Sequence, residues 1–81
     1  MNVEKTVRVE DLWYLEGKHF PMKIDLWGLL DIVEAPFDHT FPSYDLIEDV
    51  ILRDDRIEVC TANYGDWEVP KGSEVTVIWN T

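Results

Sequence analysis

The sequence predicts a mainly β domain, a small antiparallel sheet or barrel of about five strands, with one helix in its acidic half as the α+β alternative. Three observations carry this. Short apolar runs alternate with polar residues at a period of two, and Gly, Pro, Asn and Asp punctuate them every eight to twelve residues or so. In addition, 81 residues with 46% hydrophobic content and four Trp are enough for one small core and one domain, spanning 1–81.

Taken in order, Thr6-Val7-Arg8-Val9-Glu10 alternates and runs into Asp11-Leu12-Trp13-Tyr14-Leu15. The parity of Val7, Val9, Trp13 and Leu15 predicts one long strand with a bulge at Asp11. Glu16-Gly17-Lys18 then turns the chain, and Pro21 marks the edge of the next element. Met22, Ile24 and Leu26 open a second strand, expected to continue through a kink at Gly28 with Leu30 and Ile32 on the same parity. A helix capped by Asp25, with Leu26, Leu29, Leu30 and Val33 on one face, is the alternative. Gly28 weighs against it, because a mid-helix glycine costs about 1 kcal/mol.

Residues 35–43 hold Pro36 and Pro42 with Phe37, His39 and Phe41, and read as an ordered loop anchored by its aromatics. Beyond it, Val50 to Arg53 and Ile57 to Cys60 flank Asp54-Asp55, the pattern of a hairpin with a two-residue turn. A helix starting at Ser43, with Leu46, Ile47, Val50 and Ile51 inward, competes for the first arm. Turns follow at Asn63-Tyr64-Gly65-Asp66 and Val69-Pro70-Lys71-Gly72-Ser73. Glu74 to Trp79 closes the chain as a strand.

Charge is distributed unevenly. The chain carries 17 acidic and 7 basic side chains, a net charge of −10. Between Lys23 and Arg53 lie seven carboxylates and no Lys or Arg: Asp25, Asp31, Glu34, Asp38, Asp45, Glu48 and Asp49. The same stretch holds Trp27, Phe37, Phe41 and Tyr44, so it is aromatic as well as acidic, unlike a disordered acidic tail. Such a charge repels nucleic acid and anionic lipid and attracts basic proteins. No apolar run approaches the ~20 residues of a membrane span, and no basic segment leads into an apolar one as in a signal peptide. The single Cys60 excludes an intramolecular disulfide and suits a reducing compartment, so a cytoplasmic location is expected.

Catalytic groupings are absent from the pattern. Ser43 and Ser73 lie in no nucleophile elbow, and His19 and His39 have no positioning partner. Cys60 sits mid-strand among alternating apolar residues, the setting of an inert core thiol. Asp54-Asp55 and Asp45, Glu48 and Asp49 lack the glycine and terminal glutamate of a calcium loop. Neither an enzyme, a metal site nor a cofactor is expected.

The acidic block suggests something else. On a strand, carboxylates two residues apart are separated by about 7 Å, near the spacing of successive phosphates. The leading expectation is a small inhibitor, of the type phages direct against host defence, that mimics nucleic acid and blocks a basic nucleic-acid-binding protein. The candidate partner-binding set is Asp25, Asp31, Glu34, Asp38, Asp45, Glu48, Asp49, Asp54 and Asp55, with Trp27, Tyr44 and Trp67. Trp27 is expected to face away from Ile24 and Leu26, and Trp67 to stand exposed in a turn. The alternative is an accessory subunit docking through Trp67 or the Pro36–Pro42 loop, with an aromatic cage for cationic peptides as a third reading. An open sheet edge would also permit a small homo-oligomer.

Overall fold

The computed structural model describes all of residues 1–81. Six strands form one antiparallel sheet: β1 (Asn2–Arg8), β2 (Met22–Asp25), β3 (Tyr44–Leu52), β4 (Arg56–Thr61), β5 (Gly65–Pro70) and β6 (Glu74–Asn80). Their spatial order is β1-β6-β2-β3-β4-β5. Two short helices, α1 (Leu12–Lys18) and α2 (Leu26–Ile32), flank β2 in sequence, and one 3₁₀ turn at Val9–Asp11 precedes α1.

The sheet is open but cannot be flat. β5 and β6 stand four strand spacings apart in the order, about 19 Å in a flat sheet. The connection from Pro70 to Glu74 is four residue steps, which reach about 14 Å at most. The sheet therefore curls until β5 approaches β6, and α2 contacts β3, β5 and β6 across the resulting concavity. Sixteen buried apolar residues fill that concavity as a single core. They include Met22 and Ile24 of β2, Ile57 and Val59 of β4, Val69 of β5 and Val77 of β6, all fully buried.

The expected long N-terminal strand is corrected. β1 stops at Arg8, and the chain turns through Val9–Asp11 into α1. Val9 and Leu12 are the fully buried residues, while Trp13 is 60% exposed. Val9, Leu12 and Leu15 recur every third residue, and this helical spacing prevails over the period-two parity that would bury Trp13. Val9 N–H donates to the Ser73 carbonyl at 2.8 Å, fixing the turn against the β5–β6 connection.

The bent strand expected through Gly28 is likewise overturned, and the Asp25-capped alternative is the one formed. β2 ends at Asp25, whose carboxylate accepts the Trp27 N–H at 3.1 Å and caps α2. Leu26, Leu29 and Leu30 are buried on one face. Gly28 is part of the cap, since a Cβ there would stand 2.8 Å from Asp25 Oδ2. The helix ends with Glu34 N–H donating to the Asp31 carbonyl and Ala35 N–H to the Leu30 carbonyl. That closure is a Schellman motif, and it places Glu34 at φ 59°, a conformation glycine adopts more readily.

The β3–β4 hairpin forms as the sequence predicts, and the competing helix from Ser43 does not. Arg53 N–H donates to the Arg56 carbonyl at 3.0 Å around the Asp54-Asp55 turn. The register shifts between Ile47 and Asp49, leaving Glu48 as the extra residue of a bulge. The shift changes side-chain parity, so Ile47 and Val50, three residues apart, both face the core.

Candidate functional site

No single surface gathers the twelve predicted residues. The seven block carboxylates divide by what their oxygens already hold. Asp25 accepts the Trp27 N–H, and Asp38 accepts the Thr40 N–H at 2.9 Å and the Thr40 hydroxyl at 2.6 Å. Those two bonds hold the Asp38 carboxyl below its ordinary value. Asp49 accepts the Val50 N–H at 2.9 Å.

Asp45 is 7% exposed and is not available to a partner. Its carboxylate accepts Asn63 N–H at 2.8 Å, Asn63 Nδ2 at 3.0 Å and Leu46 N–H at 2.9 Å. Burial alone would raise this carboxyl, but the hydrogen bonds from Asn63 and Leu46 outweigh it and the net shift is downward. Asp45 ties the start of β3 to the β4–β5 turn.

Asp31, Glu34 and Glu48 differ from these four. All three are exposed, and their carboxylates take part in no hydrogen bond and no ion pair. Asp31 and Glu34 flank the end of α2, and Glu48 protrudes at the bulge of β3.

Asp54 and Asp55 occupy the hairpin tip beyond Leu52, at the end of β3 away from Tyr44. All three ion pairs of the molecule cluster there: Arg53–Glu58 at 3.2 Å, Arg56–Asp55 at 2.9 Å and Arg56–Glu68 at 2.8 Å. The hairpin arm thus neutralises much of its own charge, while the α2 arm carries no cation.

Aromatic side chains accompany the uncompensated arm. Trp27 is 40% exposed as expected, though on the outer face of α2 and not by strand parity, and its indole N–H donates to the Phe41 carbonyl at 2.9 Å. Phe37, 62% exposed, meets Trp27 edge-on with ring centroids 5.3 Å apart. Phe41 in turn packs on Tyr64 at 4.9 Å and on Trp67 at 6.2 Å. Trp67 itself is buried, which corrects its expected exposure. The turn ends at Gly65, φ 79°, so Trp67 and Val69 fall on the inward parity of β5. Tyr44 is half-buried, and its hydroxyl donates to Glu4 at 2.9 Å. Burial, followed by Glu4 and Asp25, pushes that hydroxyl up to about 12.

Two features escaped the sequence reading. Cys60 is not in the core: it lies half-buried on the outer face of β4, opposite Asp49 on one side and Asp66 on the other. Ligand atoms of Glu58, Cys60 and Asp66 lie within 4.8 Å of one another. Burial, then the Asp66 hydrogen bond and charge, then Glu58 and Asp49, raise the thiol to about 11, which makes it a weak nucleophile at neutral pH. The alternation that places Ile57 and Val59 inward held this signal, since Cys60 has the opposite parity. The second feature is the exposed pair Trp13 and Tyr14 on α1, hidden by the strand parity assumed there.

No helix is long and apolar enough to cross a membrane. No protein-family model matches this chain, and neither a curated protein nor a solved structure matches it.

Proposed function

We propose that this chain is a non-enzymatic inhibitor that binds a basic, nucleic-acid-binding protein by offering carboxylates where that protein expects phosphates. One observation carries the reading: Asp31, Glu34 and Glu48 stand exposed on folded elements with neither cation nor hydrogen-bond donor assigned to them. Unspent carboxylates at fixed positions are what a groove lined with Lys and Arg can use. A phage-type anti-defence role is the biological setting we favour, with a cytoplasmic partner. Docking as an accessory subunit is the second reading, favoured by the exposed Trp27–Phe37 pair on the same arm.

The test uses basic proteins retained from a nuclease-treated lysate and eluted along a salt gradient. For the mimicry reading, duplex DNA displaces the retained protein. Affinity also falls on the order of tenfold or more between about 50 and about 200 mM salt. Reversing Asp31, Glu34 and Glu48 together to Lys abolishes retention. A partner held at high salt, indifferent to DNA and to those reversals but lost with Phe37→Ala, establishes the accessory reading in its place.

A further inference from the structure

The uncompensated arm contains more than charge, and its geometry selects one kind of basic side chain. Trp27 and Asp31 stand four residues apart on α2, so both project from one face with Cβ atoms about 5–6 Å apart. That face is turned out: Leu26, Leu29 and Leu30 occupy the buried one, and Trp27 and Asp31 are exposed. The indole cannot swing freely, because its N–H is held by the Phe41 carbonyl and Phe37 abuts it at 77°. The last turn of α2 has no basic residue, so its carbonyl end and Asp31 are both without a cation.

We infer that Trp27, Phe37 and Asp31 form a seat for one arginine side chain of the basic partner, an inference that rests on the function proposed above. The guanidinium stacks on the fixed indole, its fork reaches the Asp31 carboxylate, and Phe37 closes one side. Arginine fits better than lysine because it is planar, weakly hydrated, and able to stack and donate at once. A compact ammonium meets the charge but not the ring geometry. The seat would also set the register of the partner on the acidic arm, which Glu34 and Glu48 alone, as bare charges, do not.

Two peptides of equal length and charge, one built of arginine and glycine and the other of lysine and glycine, provide the probe. Each is titrated into ¹⁵N-labelled protein while the Trp27 indole N–H resonance is followed. The arginine peptide is expected to bind about three- to fivefold more tightly than the lysine peptide and to move the Trp27 signal. Asp31→Asn and Phe37→Ala, both at exposed positions, should each remove most of that preference, whereas Glu74→Gln at the start of β6 leaves it intact. Equal affinities with a retained salt dependence, or shifts that leave Trp27 unmoved, overturn the seat while the acidic-surface reading stands. Binding of both peptides that ignores salt overturns the two together.

Discussion

Asp45→Asn tests how far one carboxylate holds the acidic half in place. The substitution keeps the size and shape of the side chain and removes its charge. In the native fold, Oδ1 accepts from Leu46 N–H and Asn63 Nδ2, and Oδ2 accepts from Asn63 N–H. An amide supplies one acceptor oxygen, so in either orientation its NH₂ group faces at least one donor. One main-chain N–H left without an acceptor costs about 1–3 kcal/mol, and the surviving bonds lose their charge assistance. The expected total is about 2–4 kcal/mol, against about 4–12 kcal/mol for a whole domain of this size. With a urea slope near 1 kcal/mol/M, the unfolding midpoint should fall by about 2 M or more. The pH dependence follows from the same bonds. The folded carboxyl is lowered below its unfolded value, so Asp45 contributes stability above that unfolded value, near pH ~4, and loses it as pH falls through the folded value. The gap between the native protein and the variant should therefore narrow below about pH 4. A midpoint shift under about 0.5 M with an unchanged slope would refute the argument.

Two further substitutions probe the site and its surroundings. Glu34→Gly relieves a left-handed conformation that costs about 1–2 kcal/mol, less about 0.4–1 kcal/mol of added unfolded-state entropy. The net gain of about 0.5–1 kcal/mol should raise Tm by several degrees in a thermal melt, and a fall in Tm would show that the Glu34 side chain stabilises the end of α2. Alkylation of Cys60 near pH 8 should run about 100-fold slower than that of an unperturbed thiol and quicken as pH rises towards 11. Asp66→Asn should accelerate it, since Asp66 stabilises the protonated thiol by hydrogen bond and charge.

Where short-range pattern decides structure, the sequence reads correctly. The β3–β4 hairpin around Asp54-Asp55 and β6 combine strict alternation with turn residues. The turns expected at 63–66 and 69–73 instead shrink to 62–64 and 71–73, because Gly65–Pro70 forms β5, a strand that the turn residues on either side obscured. The pattern hides α1 and leaves α2 only as the alternative to a bent strand, because each helix is seven residues long and over two turns the periods of strand and helix overlap. Leu26 and Leu30 satisfy either pattern. Leu29 and the Asp25 cap settle it once the curled sheet presents a concavity to cover. The charges posed a different difficulty. A run of carboxylates reads the same whether its oxygens are free or engaged, and the donor that engages Asp45 lies eighteen residues further on, in Asn63. Glu58 opposite Glu68, and Cys60 between Asp49 and Asp66, are cross-strand neighbours that only the β3–β4–β5 register creates.

The division among carboxylates narrows the mimicry reading. A carboxylate that already accepts main-chain N–H bonds has exchanged water for protein, and a partner's cation adds charge attraction to it without replacing those donors. Asp25, Asp38, Asp45 and Asp49 are of this kind, and removing them damages the fold before it damages binding. Glu58 and Glu68 stand directly opposite each other, an unfavourable pairing of like charges, and Arg53 and Arg56 offset it locally. What remains for a partner is the free pair Asp31 and Glu34 at the end of α2, the helix that carries the fixed indole of Trp27, with Glu48 apart at the bulge of β3. A footprint this small makes for weak binding if charge acts alone, since exposed ion pairs contribute about 0–1 kcal/mol each. Useful affinity then requires the aromatic contacts at the same place, because stacking on a pre-ordered ring adds apolar burial to the Coulomb attraction with little further entropy to lose. Acid and aromatic are on this argument two halves of one interface, and neutralising either should weaken the other's contribution by more than the sum of separate effects predicts.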